Sequence, residues 1–242
     1  MKITDAYWEK RNLGITCTEI IIENGDQLSH LEEINDVLEC VEYVVVKVPV
    51  ARFEMNNYLT QKRFVFIEGS INLYLDLKDA VLTTLQQRLN GVVTYAEMDE
   101  VDLSQLYYEI ERGMFKSNRI LLDDFFTEKQ AAARYINWIK DELAKSTQAY
   151  KMVYKDDPIG FFTFREVEKN IFYPFLAGMY KKYASSGLGF ETVRKPIEEA
   201  IKRGGHTIHT YISTNNTAVF RVHIQQGFSV HEMQYVFVKH NK

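Results

Sequence analysis

The stretch Tyr183-Ala184-Ser185-Ser186-Gly187-Leu188-Gly189-Phe190 decides how this chain is read. An apolar run from Ile171 to Met179 leads into it. After it, Phe190, Val193, Ile197, Ala200 and Ile201 recur at helical spacing. Gly204-Gly205 ends that pattern, as glycine ends helices. The stretch is therefore a turn between a strand and a helix N-terminus. Small residues there leave several backbone N–H groups bare. With the helix dipole they form a seat for a phosphate or pyrophosphate. A turn that uses glycine only for close packing fits this stretch, taken alone, equally well.

The next segment tips the balance. Thr207 to Ser213 reads as a strand that ends in the polar turn Thr214-Asn215-Asn216. Asn216-Thr217-Ala218 then opens a short helix with one apolar face, and Gly227-Phe228 precedes two short strand-like runs. This order resembles the acetyl-CoA-binding half of the GNAT N-acetyltransferase superfamily, over roughly residues 91–242. The resemblance implies an α/β (α+β) fold with a mixed, mostly antiparallel central sheet. It also implies acetyl-CoA as co-substrate. Pyrophosphate would sit on Ser185, Ser186, Gly187, Leu188, Gly189 and Phe190, with Asn216 nearby. The pantetheine arm would lie as a pseudo-strand beside Phe175, Leu176, Ala177, Gly178 and Met179, where a backbone N–H polarises the acetyl carbonyl.

Composition bounds the alternatives. The 242 residues, 46% hydrophobic and 26% charged, describe a soluble globular chain that can bury a sizeable core. No apolar run approaches the ~20 residues of a membrane span. The N-terminus lacks the apolar core of a signal peptide, so a cytoplasmic protein is expected. A net charge of −4 gives no electrostatic case for nucleic acid or an anionic membrane. Cys17 and Cys40 imply no disulfide framework, and both are expected reduced in the core. His206, His209 and His231 show no metal-ligand spacing, so no metal is expected.

Residues 1–88 read as a smaller α/β unit before a larger one at 89–242. Thr16–Ile22 and Val41–Val50 are strand-like, and Ser29 with Glu32 forms a capping box before Leu31, Ile34, Val37 and Leu38. Phe53–Arg63 reads as a helix and Phe64–Leu77 as two short strands or one bent strand. Leu82–Asn90 is a candidate linker. The pattern from Phe53 to Phe64 mirrors that from Thr217 to Phe228, with Arg63 in place of Gly227. The first unit reads as a truncated half-copy of the second, without the phosphate turn, or else the two are ordinary strand–helix–strand units alike by coincidence. Farther along, a hairpin is expected across Lys155-Asp156-Asp157-Pro158.

The whole chain resembles a narrower group, TDP-fucosamine acetyltransferase and its relatives, which carry a truncated unit before a complete one. Trp8-Glu9, Leu13-Gly14 and the segment Gly113 to Arg119 carry that likeness. It implies a small primary amine as acceptor, linked to a nucleotide such as TDP, attacked directly in a ternary complex. Ser117, Asn118 and Arg119 would contact it, or else form an ordinary surface loop. A homodimer stays open. Three departures stand out: Ala184 where the turn usually begins with a polar side chain, Pro196 inside the following helix, and His223 where the family places a tyrosine. His223 is expected to protonate the departing thiolate or simply to pack. Glu166 and Glu168 are expected to act as base through water or to form a solvated strand face. Another amine acceptor, an antibiotic or a peptide N-terminus, and a catalytically silent acyl-CoA-binding module are the alternatives.

Overall fold

A segment near each end of the chain has the same plan. In this computed structural model, which describes residues 1–145 and 147–241 but not the Val37 side chain, the N-terminal half holds eight of the elements. They are β1 (Lys2–Asp5), α1 (Trp8–Leu13), β2 (Cys17–Ile21), α2 (Leu28–Glu33), α3 (Asn35–Glu39), β3 (Tyr43–Pro49), α4 (Phe53–Gln61) and β4 (Val65–Asp76). The second half starts with α5 (Thr84–Leu89), β5 (Thr94–Glu97), α6 (Glu100–Glu111), α7 (Arg119–Leu122), α8 (Glu128–Leu143), β6 (Gln148–Tyr154) and β7 (Asp157–Glu168). It continues with β8 (Ile171–Tyr173), β9 (Ala177–Met179), α9 (Glu191–Lys202), β10 (Thr207–Ser213), α10 (Thr217–Gln225) and β11 (Ser229–His240).

Strand, helix and strand from β3 to β4 recur from β10 to β11 at a constant offset of 164 residues: 43 to 207, 53 to 217 and 65 to 229. The paired elements have equal lengths of 7, 9 and 12 residues. The repeat read from the sequence is thus a repeat of structure. Even the turn after each helix is left-handed in both copies, at Arg63 (φ 65°) and Gly227 (φ 98°). Glycine is needed only in the second copy, where a Cβ would lie 2.5 Å from the Asp79 carbonyl oxygen.

The copies are not separate sheets. Among the described residues eleven strands form one mixed sheet in the order β1-β2-β3-β11-β4-β10-β8-β7-β6-β5, with β9 also on β7. Each half therefore lends its last strand to the other. β11 lies between β3 and β4, and β4 lies between β11 and β10. The ladder obeys the repeat: Tyr74 pairs with Ser229, and their equivalents Val238 and Val65 pair as well. Both bulges are equivalent too, with His231 extra on β11 and Ile67 extra on β4. Ser70 and Gln234, each the other's equivalent, pair at the centre, so a pseudo-two-fold axis passes between them. The division expected at 88/89 falls within α5–β5, while the sheet runs across it.

The core follows the exchange. Tyr43, Val44, Val45 and Val46 are wholly buried in the middle of the sheet, where both faces are covered. Phe237 of β11 packs with Ile20, Val44 and Leu59, while Val236 and Val238 pack with Cys17, Tyr43 and Ile120. Buried ion pairs also cross the halves. Glu9 of α1, fully buried, accepts from Arg134 (2.7 Å) and Arg119 (3.2 Å) of the second half.

Local details differ from expectation where tertiary contacts decide them. The expected linker contains α5, capped by Thr83 with Gln86, whose side chain is buried. Gln27 and His30, not Ser29 and Glu32, make the box at α2. Of the two forms expected for Phe64–Leu77, the single bent strand is the one found, over Val65–Asp76 with a bulge at Ile67. The hairpin turns on Lys155 and Asp156, both at positive φ, and Pro158 enters β7 opposite Val153 beside a bulge. Cys40 is exposed rather than in the core.

The exchange makes a direct prediction. Residues 1–88 expressed alone lack β11, leaving a gap between β3 and β4 and removing Val236, Phe237 and Val238 from their core. That fragment should show no cooperative thermal transition by circular dichroism, while the full chain unfolds in one. A sharp transition in the fragment would contradict the exchange.

Candidate active site

The sheet opens at one place. β8 pairs with β7 and, in parallel, with β10, through Ile171↔Thr207 and Phe172↔Ile208. Pro174 follows and has no N–H to donate. Beyond it β9 stays with β7 (Phe162↔Ala177 to Gly160↔Met179), while β10 stays with β4 as far as Ser213↔Ser70. The two strands diverge into a V. In the first half the equivalent pair never opens: β2 and β3 stay paired from Cys17↔Tyr43 to Ile21↔Lys47.

Close approach holds β9 in place. A Cβ on Gly160 would meet the Gly178 carbonyl oxygen at 2.3 Å. Thr163 N–H donates to the Leu176 carbonyl, and Tyr180 N–H to the Ile159 carbonyl, so these even positions face β7. Strand alternation then turns the backbone groups of Ala177 and Met179 toward the opening.

The glycine turn closes one end of the V. A short 3-10 turn, Lys181–Tyr183, follows β9, and Ala184 to Gly187 are exposed ahead of α9. Gly187 has φ 80°, a left-handed conformation that glycine adopts freely, with open space where a Cβ would point. Ser186 and Leu188 spend their N–H groups within the turn, on the Tyr183 carbonyl and the Ser186 hydroxyl. Below the turn lies Glu191, fully buried, with Lys195 at 3.4 Å. Burial pushes its carboxyl up to about 7 against the pull of Lys195. Gln226, also fully buried, ties α10 to the turn by donating to the Phe190 carbonyl.

From the V a cavity of about 1220 Å³ runs across the pseudo-two-fold axis into the first half. Its V side is lined by Ala177, Thr192, Pro196, Thr210, Asn216 and His223. The other side holds Glu19, Lys47, Glu68, Arg119 and Arg134, with an aromatic wall of Trp8, Tyr135 and Trp138.

No protein-family model matches the sequence, and no curated protein matches it. Solved structures do match in shape. A GCN5-related glucosamine N-acetyltransferase region of a fungal multi-domain GH3 β-N-acetylglucosaminidase aligns over 98% of this chain and 31% of that one, with TM-score 0.64 at 10% identity. A conserved protein of unknown function from Staphylococcus epidermidis aligns over 94% of this chain and 85% of that one, with TM-score 0.61 at 10% identity. A tandem GNAT protein from the clavulanic acid biosynthesis pathway aligns over 93% and 75%, with TM-score 0.55 at 9% identity. The fold is that of the GNAT acetyltransferases.

Within the GNAT fold the residues singled out by sequence separate into two groups. Phe175, Leu176 and Ala177 line the cavity and Met179 continues the free strand edge, whereas the backbone of Gly178 faces β7. Asn216 also lines it while its side chain caps α10 by accepting from Val219 N–H. Ser117, Asn118 and Arg119 line the first-half side. Asn118 caps α7 there, and the Arg119 guanidinium is already held by Glu9 and by Glu19 at 3.3 Å. A phosphate would have to displace those carboxylates. Glu166 and Glu168 stand apart. They are exposed at the closed end of the V, and a bulge between them breaks the alternation that would have aimed both one way. Glu166 instead accepts from Asn170 N–H in the β7–β8 turn. The expected base role therefore has no geometric support.

His223 lies in the cavity wall, edge-on to Phe228 at 4.8 Å. Its Nδ1 is 2.8 Å from the Val219 carbonyl, an acceptor, so Nδ1 carries the proton and Nε2 is an acceptor. Burial lowers its pKa to about 4, more than that hydrogen bond raises it. The imidazole is neutral near pH 7, which removes the imidazolium acid expected from the sequence. Pro196 also finds a place here: it faces the cavity, and its missing N–H leaves the Thr192 carbonyl without a helical partner. Glu68 and Glu191 carry no sequence signal, since an acidic residue in a strand or a first helical turn is usually solvated.

His223 makes the protein less stable in acid. Below 6.5 the unfolded chain protonates this side chain, while the folded protein resists until about 4. Falling pH thus favours unfolding across that window. Relative to His223→Phe, the wild type should lose roughly 3 kcal/mol in urea unfolding between about pH 7 and pH 4. A difference that stays constant with pH would mean that His223 titrates in the folded protein as it does in the unfolded chain, so that burial does not hold it neutral.

Proposed function

We propose that this protein transfers an acetyl group from acetyl-CoA to the primary amine of a small acceptor. The observation that carries this reading is the V between β9 and β10, with an exposed glycine turn at one end and a large cavity at the other. The residues present fit the co-substrate. With the N–H groups of Ser186 and Leu188 spent within the turn, those of Ser185, Gly187, Gly189 and Phe190 and the α9 dipole are offered to a pyrophosphate. The free edge of Ala177 and Met179 offers strand-like hydrogen bonds to an amide-bearing arm. When bound, acetyl-CoA supplies an activated thioester. A backbone N–H of β9 polarises the acetyl carbonyl. His223 offers Nε2 as an acceptor, and the thiolate, with a conjugate-acid pKa of about 8.5, departs without an imidazolium.

The charges of the cavity bear on the acceptor. Lys47 sits on Glu19 at 2.6 Å, Arg134 on Glu9 at 2.7 Å, and Arg119 on both carboxylates. Lys47 and Arg119 pull Glu19 down to about 2 although burial raises it. A nucleotide diphosphate, expected from the likeness to TDP-fucosamine acetyltransferase, finds these cations already paired. The aromatic wall and Glu68, which lines the cavity outside these ion pairs, suit a cationic amine, such as a free amino sugar, better. A panel of free amino sugars, nucleotide-linked amino sugars and simple amines separates these acceptors.

The test is calorimetric titration with CoA and acetyl-CoA. The wild type should bind both, and at a hundred times the dissociation constant gain roughly 2.7 kcal/mol of stability. Gly187→Glu places a carboxylate in the seat and an L-residue at positive φ, and should abolish binding while the protein stays folded. Failure of the wild type to bind either ligand would overturn the reading. Binding without turnover across the panel would make the chain an acyl-CoA-binding module.

A further inference from the structure

Glu68 is the carboxylate that the ion pairs of the cavity leave over. It lines the cavity from β4, next to the pseudo-two-fold axis. Its Oε2 is shielded from solvent and has no hydrogen-bond partner among the described residues. The charged and polar groups around it include Ser213 of β10, Arg119 of α7, Lys47 of β3, and Arg134 and Tyr135 of α8. Burial raises its pKa, and the Ser213 side chain and the three cations oppose that. The three cations among them are already bound to Glu9 and Glu19.

The repeat supplies an internal comparison. The equivalent of residue 68 is residue 232, and Glu232 also lines the cavity. Glu232 Oε1 accepts from Gln234 Nε2 at 3.3 Å, so the two carboxylates differ in their local partners. A buried acceptor without a donor is expensive, and since only Oε2 of this carboxylate is shielded, a donor that enters the cavity reaches it at Oε1. Ser213 and Asn216 line the same cavity beside Glu68, where β10 ends and α10 begins. Glu68 therefore stands at the V-side end of the first-half chamber.

We propose that Glu68 receives the protonated amine of the acceptor, so that the N-terminal half supplies the amine-binding carboxylate of this site. For the identity of its ligand as an acceptor, this rests on the acetyl-transfer reading. The ammonium donates to Oε1. One proton then passes from nitrogen to Oε1, which leaves a neutral amine with its lone pair and a neutral carboxylic acid. That proton goes on to water when the amine leaves. The substrate class is a primary amine that is cationic in solution.

The test uses n-propylammonium chloride against n-propanol, which matches it in size and lacks the charge. Backbone amide shifts of Glu68, Ser70 and Ser213 are followed by NMR in the protein without CoA. The wild type should bind the ammonium at least tenfold more tightly than the alcohol. Glu68→Gln should erase that preference. Glu68→Asp, which keeps the charge on a shorter arm and serves if the glutamine variant fails to fold, should reduce it. An ammonium bound no better than the alcohol overturns the proposal. So does a preference unchanged in both variants. CoA titration of the same samples keeps the two ideas apart. If CoA fails to bind while the ammonium preference follows Glu68, acetyl transfer falls and the ammonium site stands.

Discussion

The antiparallel ladder between β4 and β11 is the constraint on which the rest of the molecule depends. It joins the last strand of each half to the other half, and its centre is the Ser70–Gln234 pair. Remove either strand and both halves lose a sheet neighbour. Without β11, β3 and β4 would become edges, and without β4, β11 and β10 would, each with a row of unpaired donors and acceptors. The matched bulges at Ile67 and His231 show that both copies bend the ladder in the same way. The cavity forms across this axis because the two halves meet there, so its wall draws side chains from both.

Symmetry in the backbone has not kept symmetry in function. The second half opens between β9 and β10 after Pro174, whereas the first half keeps β2 and β3 paired as far as Ile21↔Lys47. Continued hydrogen bonding closes the place where an arm could add as a strand. The first half lends side chains to the cavity instead. Glu19, Lys47 and Glu68 come from it, and Glu19 together with the fully buried Glu9 meets Arg119 and Arg134 from the second half. The fully buried Glu9 is tolerable only because two guanidinium groups reach it. That network fixes the halves against each other and consumes the positive charge that would attract a phosphate.

Much of the architecture was legible in the chain. The repeat at Phe53–Phe64 and Thr217–Phe228 follows from matching helix length and strand alternation, which are local properties. The turn at Ser185–Phe190 was legible for the same reason, since a left-handed glycine before an amphipathic helix is written in consecutive residues. The hairpin at Lys155-Asp156 and the strand after Phe64 were visible in kind but not in detail, because register and bulges depend on the neighbouring strand.

What the sequence by itself determined is the set of elements and the kind of fold they build. Only the tertiary structure decided how the elements are shared. An exchanged strand has the same local sequence as an unexchanged one, and its partner is chosen by packing across the whole chain. The same limit applies to the site. Glu166 and Glu168 look paired in sequence, yet a bulge separates them at the closed end of the sheet. His223 looks like an acid, yet burial holds it neutral. Glu68 looks like any charged strand residue, yet the fold buries one oxygen and assigns the nearby cations elsewhere. Charge state and hydrogen-bond partners depend on desolvation and distance, and neither exists until the chain has folded.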